Sequence, residues 1–536
     1  MTSPSVSPPS VSMLTRAITA AADGPLRGWL HGQRWFGAKG RELRNLVARD
    51  HAVLDAGGGG RPAYVFVLFE ITYEDGEDLY AIPLVVGTGG ASGADGIIGE
   101  IELDGARLTI CDALADHRFL RLGLAAIARN MTIPTARGGA LVGTRGVALA
   151  GFIGSGAIED LPVRAMRAEQ SNTSVVFSPG AQDRLLVKWL RSVHQGVHLE
   201  VEIGAHLAKV GFHGAPKMLG DLAYIAPPRP GVTTDPVTVA VAAEFVANVS
   251  DGWKHALSEA KTRLDADIRT SRPSREPYDL AIKRLGRLTA EMHLALANGQ
   301  RDPAFIPEPL DEDDRGALAT SAATRLVDII AMLERRMPKW DEDVRQLGKK
   351  LVAEAPALAE RLRSATKLPT GLAKTRIHGD YHLGQVLRTH GEAGTAGWTI
   401  VDFEGEPARP LADRRKKSSP LRDVAGMLRS FDYAAHAALR EVGPGADESK
   451  RALLDREAQS WRDAARQAYL DGWLEVAGKS EHALVPTDAK QRAEALSLYE
   501  LDKALYELAY EVEHRPDWVP IPLQGILRMI EAPSLR

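Results

Sequence analysis

The stretch RIHGDYHLGQVLRTHGEAGTAGWTIVDFEGEP, residues 376–407, decides how the rest of the chain is interpreted. Two apolar runs flank a glycine-rich connection at 390–397, and apolar runs around such a connection predict a β-hairpin. A turn at the middle of that connection pairs residue 385 with residue 402, which places Gln385 beside Asp402. Asp380 lies just upstream in a tight His-Gly-Asp turn. We therefore expect two acids and an amide at one end of the hairpin.

Two carboxylates and an amide suit phosphoryl transfer, in which one carboxylate accepts the proton of a hydroxyl and other oxygens hold Mg²⁺ against the phosphates. The spacing from Asp380 to Gln385 equals that from Asp to Asn in the kinase loop H-R-D-x-x-x-x-N, and Asp402-Phe403 stands where kinases carry D-F-G. The His-Gly-Asp motif alone is typical of an ordinary turn, and the segment that begins at Asp402 is typical of a solvated loop. Both motifs in this order, joined by a hairpin, indicate a kinase-like Mg²⁺ site.

Composition sets outer limits on the function. The chain has 536 residues, of which 44% are hydrophobic and 25% charged, with a net charge of −4, enough for several globular domains. Near-neutral charge gives no basic footprint for nucleic acid or a membrane surface. Cys111 is the only cysteine, so an internal disulfide is impossible and a reducing compartment is indicated. No uncharged apolar run is long enough to span a bilayer, which predicts a cytoplasmic protein.

The pattern along the chain predicts an α+β protein in four parts. Residues 1–13 are Ser/Pro-rich and read as a disordered tail. Short helices, strands and glycine-rich loops at 14–127 predict a small α+β module, and 128–248 is rich in strand patterns. Residues 249–536 carry long runs of helical periodicity, within which His293 is expected to be a core histidine.

A second hairpin is predicted around the strand LLVKWL, 185–190. The strand before it opens on a run of small polar residues, and hydroxyl and amide donors with accessible backbone N–H groups suit a phosphate clamp. These clamp residues are Ser171, Asn172, Thr173 and Ser174. Lys188 within the apolar strand is typical of an edge residue, but it also occupies the place of the kinase lysine that holds the α- and β-phosphates.

That lysine needs a carboxylate from the following helix, 199–210, where Glu200 and Glu202 are both candidates. Glu200 lies nearer the apolar edge of the helix, whereas Glu202 fits the kinase-like pattern, and we favour Glu202. A buried strand then ends in a polar turn suited to a hinge. The backbone of Glu244, Phe245 and Val246 is expected to bind an adenine edge there.

The segment 497–518 carries tyrosines at 499, 506 and 510 on a predicted helix. Intervals of seven and four residues are typical of a core-facing stripe. With Arg515 and Trp518 at the helix end, the same stripe could line a sugar site, because aromatic rings stack on pyranose faces. The sequence leaves both interpretations open.

Taken together, the chain resembles the actinobacterial-type maltokinases, relatives of the aminoglycoside phosphotransferases within the protein-kinase-like fold. The resemblance covers nearly the whole chain and rests on QRWFGAKGR, EQSNTSVVF, EFVANVSDGW, HGDYHLGQVL, DFEGEP, SPLRDVAGMLRSFDYAA and YELAYEVEHRPDWVPIPL. It implies a bilobal kinase-like fold with an N-terminal cap module, a β-rich intermediate lobe and a helical C-lobe. It also implies transfer of the γ-phosphate of ATP to the anomeric hydroxyl of maltose, feeding α-glucan and glycogen synthesis.

The resemblance assigns roles residue by residue. Asp380 would be the catalytic base, with Gln385 and Asp402 as Mg²⁺ ligands and Glu404 as a further metal or water contact. Residues 171–174 and Lys188 would hold the phosphates of ATP, with Glu202 as the partner of that lysine. The sugar would be met by His382, Tyr510 and Arg515. The resemblance also implies a monomer and a possible association with a trehalose-converting enzyme.

Three departures from the family pattern leave other acceptors open. His198-Leu199 stands where many relatives have Asn-Pro, the loops near Gly57 and Gly87 look long, and the acidic stretch 308–314 has no counterpart. One alternative keeps the fold and chemistry but changes the acceptor to glucosamine, another sugar or an aminoglycoside. Another is a non-catalytic pseudokinase scaffold, against which the intact set of Lys188, Asp380, Gln385 and Asp402 argues.

Overall fold

A computed structural model describes residues 9–88, 96–154, 156–166, 171–180, 182–228, 230–231, 234–265, 277–390, 396–406, 409–443, 445 and 447–531. The chain divides into two compact units. Unit 1 contains Met1–Ala205 and Pro216–Ala247, and unit 2 contains His206–Ala215 and Asn248–Arg536. The predicted tail ends earlier than residue 13, because the first helix begins at Val11 with Ser10 as its N-cap.

Unit 1 is built mainly of strands. Its helices are α1 (Val11–Asp23), α2 (Pro25–Gly32), α3 (His117–Ala128), α4 (Leu149–Ile153) and the start of α5 (Leu199–Val210). Its strands are β1 (Asn45–Asp55), β2 (Ala63–Thr72), β3 (Glu77–Ala81), β4 (Leu84–Gly87), β5 (Ile97–Leu103), β6 (Ala106–Asp112), β7 (Thr132–Pro134), β8 (Ala140–Arg145), β9 (Val163–Ala165), β10 (Asn172–Phe177), β11 (Leu185–Leu190), β12 (Ser192–Val193), β13 (Met218–Ile225) and β14 (Val237–Glu244).

These strands form two sheets that meet in one hydrophobic core. The first has the order β12-β3-β2-β4-β6-β5 with β1 paired to β2, and the second has the order β7-β8-β13-β14-β11-β10-β9. Phe66 of the first sheet, Phe119 of α3 and Trp189 of the second sheet are buried in the same core cluster. The predicted cap and intermediate lobe thus share a core, and the boundary near residue 127 stays a prediction.

Unit 2 is mainly helical. Its helices are α6 (Gly252–Leu264), α7 (Tyr278–Leu296), α8 (Glu312–Arg336), α9 (Glu342–Arg363), α10 (Leu411–Arg414), α11 (Leu421–Val442), α12 (Glu448–Ala477), α13 (Ala489–His514) and α14 (Pro520–Glu531). Its strands are β15 (Ser250–Asp251), β16 (Glu308–Pro309), β17 (Ala373–Lys374), β18 (Val386–His390) and β19 (Ala396–Ile400).

The acidic stretch at 308–314 has a structural explanation. Asp311 and Asp314 form a reciprocal capping box at the start of α8, which satisfies backbone N–H groups that a helix leaves unpaired. Lys374 Nζ lies 2.6 Å from Asp314 Oδ2, and Lys417 Nζ lies 2.5 Å from Glu308 Oε1. Helix capping and ion pairs therefore account for three of its five acidic residues, Glu308, Asp311 and Asp314.

The hairpin that the sequence predicts is present as β18 and β19, but its register differs by one residue. Val386 pairs with Ile400, and the Val401 N–H donates to the Gln385 carbonyl at 2.9 Å. The prediction that 385 pairs with 402 was therefore wrong by one position on the second strand. The turn itself, at 391–395, lies outside the described residues.

Within the described part of the chain, one helical stretch, Glu312–Lys339, is long and apolar enough by length and composition to cross a membrane. Such a test is also passed by core helices of soluble proteins. Leu326, Ile329 and Leu333 of this stretch are buried in the core of unit 2. Its Arg325 forms an ion pair with Asp502 of α13. The apolar face of this helix is therefore used in packing against its neighbours.

Candidate active site

Asp380 lies in a turn whose backbone is fixed from outside the turn. The two oxygens of Asp423, on α11, accept hydrogen bonds from the His378 N–H at 2.8 Å and the Gly379 N–H at 2.9 Å. Gly379 has φ +86°, a left-handed conformation that favours glycine. Asp423 thereby holds the two residues that precede Asp380.

Asp423 is itself held in a defined state. His293 Nδ1 accepts from Trp473 Nε1 at 3.0 Å, so the proton of the ring lies on Nε2, which donates to Asp423 at 3.1 Å. Burial raises the pKa of Asp423, but the hydrogen bonds from His293 and from the Gly379 N–H outweigh it. The net pKa lies below the ordinary 3.8. His293 is a satisfied core histidine, as expected, and it also supports the turn.

The same face of α11 contacts the loop at two further points. A Cβ on Gly426 would lie 2.5 Å from the carbonyl oxygen of Tyr381, so only glycine allows this close approach. The Leu383 N–H donates to Ser430 Oγ at 3.2 Å. Asp423, Gly426 and Ser430 are spaced i, i+3 and i+7, which places them on one helix face along the loop.

Gln385 and Asp402 meet, as the sequence predicts. Gln385 Nε2 donates to Asp402 Oδ2 at 3.0 Å despite the shifted register. Asp402 has φ +69°, which is uncommon for a non-glycine residue and is characteristic of functional turns. The ring of Phe403 packs against His378 with centroids 4.9 Å apart, and His378 Nε2 donates to the Val401 carbonyl at 2.9 Å. The His-Gly-Asp turn and the Asp402-Phe403 segment are therefore in direct contact.

This pair fits a magnesium ion better than a metal that needs a full protein cage. Within the described residues, no group of three or more His, Cys, Asp or Glu side chains could hold a metal by itself. Mg²⁺ typically takes one or two protein oxygens and completes its shell with phosphates and water. Gln385 and Asp402 offer such a set. The carbonyl of Glu404 accepts from Arg414, and a metal contact of its side chain stays a prediction.

Asp380 lines a cavity in unit 2 together with polar groups from α13. Lys503 Nζ lies 3.8 Å from Asp380 Oδ1 and 4.9 Å from the centre of the Tyr506 ring. Tyr499 and Tyr506 belong to the same lining. His382 Nε2 lies 4.0 Å from Asp380 Oδ2, and its side chain is 43% exposed. A sugar contact by His382 stays a prediction.

Tyr510 and Arg515 are not among the described residues that line this cavity. Tyr510 is 42% exposed and stacks on His514, while Arg515 Nη2 pairs with Glu511 Oε1 at 2.6 Å. The tyrosine stripe does reach the cavity, through Tyr499 and Tyr506 instead. A contact of Tyr510 and Arg515 with the sugar stays a prediction.

In unit 1, Lys188 lies on an interior strand, since β11 is paired to both β10 and β14. It is 8% exposed, and Ser174 is directly opposite it in the register. A buried lysine requires a carboxylate partner, because an isolated charge is costly to bury. Lys188 Nζ lies 3.0 Å from Glu200 Oε2.

The structure thus pairs Lys188 with Glu200, the candidate that the sequence analysis did not favour, and a role of Glu202 beside this lysine stays a prediction. Glu200 stands in the first turn of α5 beside the buried Leu199, so it points along the apolar edge toward the sheet. The helix starts at Leu199 without the Asn-Pro of relatives. His198 Nδ1 accepts from the Glu200 N–H at 3.4 Å, and the His198 N–H donates to Thr238 Oγ1 at 3.1 Å.

The predicted clamp residues do not share one face of the sheet. Ser174, fully buried, lies opposite Lys188, whereas Thr173 lies opposite Trp189 on the other face. Thr173 Oγ1 accepts from Arg191 Nε at 3.1 Å. A phosphate contact through the Thr173 side chain is therefore corrected to a structural contact. Ser171 is exposed and Asn172 half-buried, and their nucleotide roles stay predictions.

Two of the three backbone N–H groups assigned to adenine are used inside unit 1. The Glu244 N–H donates to the Lys217 carbonyl, and the Phe245 N–H donates to the Arg184 carbonyl, both at 2.9 Å. An adenine contact by these two residues would have to use their carbonyl oxygens. The role of Val246 stays a prediction.

Three residues with evident roles were missed by the motif-based reasoning. Asp423 is an acid in a strongly apolar helical stretch, and Gly426 and Ser430 follow it at helical spacing. This contrast between one acid and its apolar neighbours could have indicated a buried supporting role. Lys503 precedes Tyr506 by one helical turn on the stripe that was considered for sugar binding. Arg191 directly follows the strand that carries Lys188, and nothing in its local sequence marked it.

Comparisons with known proteins agree with this geometry. The model of the maltokinase N-terminal cap domain matches residues 29–116. Glucosamine kinase of Streptacidiphilus jiangxiensis is 26% identical over 363 residues, which cover 67% of this chain and 71% of the relative. Glucosamine kinase of Mycolicibacterium smegmatis is 28% identical over 363 residues, with 67% and 77% covered.

Solved structures show the same fold. A glucosamine kinase in complex with glucosamine, ADP and inorganic phosphate aligns with a TM-score of 0.60 at 22% identity, covering 91% of this chain and 94% of that one. Crystal form B of glucosamine kinase aligns with a TM-score of 0.65 at 21% identity, covering 98% and 100%. The predicted α+β kinase-like fold is confirmed.

Fold, site and relatives together define a phosphotransferase of the kinase-like fold whose acceptor group is an alcohol. Within that class, the match to the maltokinase N-terminal cap domain and the similarity to glucosamine kinases support a sugar-kinase-like phosphotransferase. The resemblance noted in the sequence is confirmed at that level.

Proposed function

We propose that this chain is an ATP- and Mg²⁺-dependent kinase that phosphorylates the anomeric hydroxyl of maltose. The observation that carries the proposal is the fixed position of Asp380, whose turn is held by Asp423 and which faces the cavity lined by Tyr499 and Tyr506. A general base must be held where the hydroxyl will lie, because proton transfer depends on distance and alignment.

In the proposed reaction Asp380 orients the sugar hydroxyl and accepts its proton as the new O–P bond forms and the bond to the leaving ADP breaks. The protein contributes mainly position and charge, because this type of transfer asks little covalent chemistry of it. Lys188, fixed by Glu200, would bind the phosphates of ATP. Gln385 and Asp402 would hold Mg²⁺, which when bound neutralises charge on the phosphates.

The charges around the cavity favour a neutral sugar over an amino sugar. Glu406 accepts from Arg409 Nε at 2.6 Å and lies 3.7 Å from Arg422. Asp502 pairs with Arg325, and Asp380 faces Lys503. Each carboxylate of the described lining therefore has a cationic or N–H partner, with Asp423 bonded to the turn. An ammonium group of a substrate would meet Lys503 without a carboxylate of its own.

The size of the cavity limits how a disaccharide could bind. Its volume is about 20 Å³, room for little more than one water-sized group. Only the end of a sugar that carries the reacting hydroxyl would enter it. The remaining ring would lie at its mouth, where aromatic edges such as Tyr506 can contact a pyranose face.

Glucosamine is the second candidate acceptor. Two curated relatives are glucosamine kinases, and one structure of such a kinase holds glucosamine and ADP. These relatives support a sugar acceptor and an adenine nucleotide donor. Maltose is ranked above glucosamine because the described carboxylates that line the cavity already have partners, which leaves none of them for the ammonium group of glucosamine.

An acceptor panel tests the proposal. Maltose, glucose, glucosamine and an aminoglycoside are each incubated with ATP and Mg²⁺, and ADP release is followed. We expect the highest kcat/KM with maltose and loss of the reducing end in its product, because a phosphate on the anomeric hydroxyl prevents the ring from opening to the aldehyde. Turnover of glucosamine without turnover of maltose would overturn the assignment of the acceptor.

Several further properties stay predictions that follow from the same proposal. These are a role in α-glucan and glycogen synthesis, association with a trehalose-converting enzyme, a monomeric state and a cytoplasmic location. Size-exclusion chromatography with light scattering tests the monomer, and co-purification with such an enzyme tests the association.

A further inference from the structure

Arg191 joins the two sheets of unit 1. It follows β11, which belongs to the second sheet, and it precedes β12, which pairs with β3 of the first sheet. The Ala81 N–H donates to the Arg191 carbonyl at 2.9 Å. The backbone therefore passes directly from the strand of Lys188 into the sheet that carries the cap sequence.

The side chain of Arg191 is bound on two sides by cap residues. Its guanidinium makes a bidentate ion pair with Asp112, with Nη1–Oδ1 at 3.1 Å and Nη2–Oδ2 at 2.5 Å, and it lies 4.7 Å from the centre of a Trp35 ring. Arg191 and Asp112 side chains are 3% and 10% exposed. A buried bidentate pair fixes the direction of the remaining N–H groups.

One of those remaining groups, Nε, donates to Thr173 Oγ1 at 3.1 Å. Thr173 is directly next to Ser174, which faces Lys188 across the β10–β11 pair. Because strand side chains alternate between faces, Arg191 holds this strand from the face opposite Lys188. The position of the predicted clamp thus depends on residues of the cap.

We propose that Arg191 is a positioning residue through which the cap module sets nucleotide affinity, with Asp112 and Trp35 fixing its guanidinium and Thr173 receiving its N–H. The inference rests on the proposed function, in that ATP must bind at Lys188 and at the strand that carries Ser174. It gives the cap a role in binding the phosphate donor rather than the sugar.

The first test removes only the Thr173 hydroxyl, which accepts the hydrogen bond from Arg191. In Thr173→Val the hydroxyl is lost and the size is kept, so we expect ADP affinity by calorimetry and the KM for ATP to weaken by about tenfold. The kcat and the KM for the sugar should stay within about twofold, as expected of a residue that only positions the nucleotide site. Thr173→Ser restores the hydroxyl and should restore affinity. Thr132→Val, at an exposed position of β7 in the same sheet, is the control.

The second test starts from the cap. Trp35→Leu removes the ring beside the guanidinium without touching the clamp, and should weaken ADP binding by about threefold. In the Thr173→Val background the same change should add nothing, because the link is already broken. Native ADP affinity in Thr173→Val, or independent effects of the two changes, would overturn the inference alone. Failure of the native chain to bind ADP and ATP would overturn the proposed function with it.

Discussion

Lys188 and Asp380 are the charged groups on which the proposed reaction depends, and the chain holds them by different means. Lys188 lies within a β-sheet, and its partner Glu200 follows it by twelve residues in the sequence. Asp380 lies in a turn whose geometry depends on Asp423, which is in turn fixed by His293 and supported by Trp473. One site is built by neighbours in sequence and the other by several distant helices.

The difference has consequences for mutational sensitivity. Removing Glu200 takes away the carboxylate 3.0 Å from Lys188 and leaves the pairing of the sheet intact. Removing Asp423 releases two backbone N–H groups and the His293 N–H together, because all three donate to the same carboxylate. Effects in such a network exceed the sum of its pairs. We therefore expect a single substitution at Asp423 to disturb the position of Asp380 more than a single substitution at Glu200 disturbs the position of Lys188.

The largest effect is expected from Asp380→Asn. The amide keeps the shape but cannot accept the proton, so kcat should fall by about 10³-fold. Thermal unfolding should change little, because the contacts of the carboxylate with Lys503 and His382 are long, at 3.8 Å and 4.0 Å. Steady-state kinetics measure the fall in kcat, and a thermal melting curve measures the stability. A variant that keeps most of its turnover would remove Asp380 from the role of base.

Asp423→Asn is expected to lower both activity and stability. An amide cannot accept from three donors as a carboxylate does, so the turn of Asp380 should loosen and kcat should fall by about 10²-fold. The free energy of unfolding should fall by about 3 kcal/mol, as for other broken buried charge networks. Denaturant unfolding and kinetics measure the two effects. Loss of stability at full activity would mean that the turn holds its shape without Asp423.

Lys188→Met is expected to raise the KM for ATP by about 30-fold while the KM for the sugar stays unchanged. Glu200→Gln should have a smaller effect in the same direction, because the lysine remains but loses its fixed partner. Lys209→Met, at an exposed position near the end of α5, serves as the control. An effect of Glu202→Gln larger than that of Glu200→Gln would contradict the pairing seen in the structure.

Acid should weaken the support of Asp380. Because the folded pKa of Asp423 lies below its ordinary 3.8, its ionised form stabilises the fold above that pH, and this stabilisation is lost as pH falls through the folded pKa. His293→Gln removes the imidazole, so the folded pKa should rise toward its ordinary value, and the stabilisation lost in acid should be smaller and fully lost at a higher pH. Denaturant unfolding across acidic pH measures the shift, with the exposed His482→Gln as the control.

The smallest expected effect concerns acceptor choice. If Lys503 disfavours a substrate ammonium, Lys503→Met should raise kcat/KM for glucosamine relative to glucose by about fivefold at neutral pH. The gain should vanish at alkaline pH, where the amine of glucosamine is neutral. Lys490→Met, at an exposed position on the same helix, should leave the ratio unchanged. An unchanged ratio in Lys503→Met would mean that the charge of Lys503 does not act on the acceptor.

Local patterns were enough to predict most of the fold. The hairpin at 386–400 and the helix Leu199–Val210 follow from apolar periodicity and glycine punctuation, which act over a few residues. The contact between Gln385 and Asp402 was also predictable, because a hairpin brings its ends together whatever the rest of the chain does. The exact register was not, since a change of one residue in the connection shifts every pair.

What the sequence determined by itself was the chemistry: an acid, an amide and a second acid on one hairpin, and a lysine in an apolar strand. What only the tertiary structure decided was which groups hold them. The Lys188–Glu200 pair, the Asp423 network, Lys503 beside Asp380 and the Arg191–Thr173 contact all join elements whose relative position depends on packing. Periodicity along a chain tells which face a side chain takes, but its partner is chosen by the element that packs against that face.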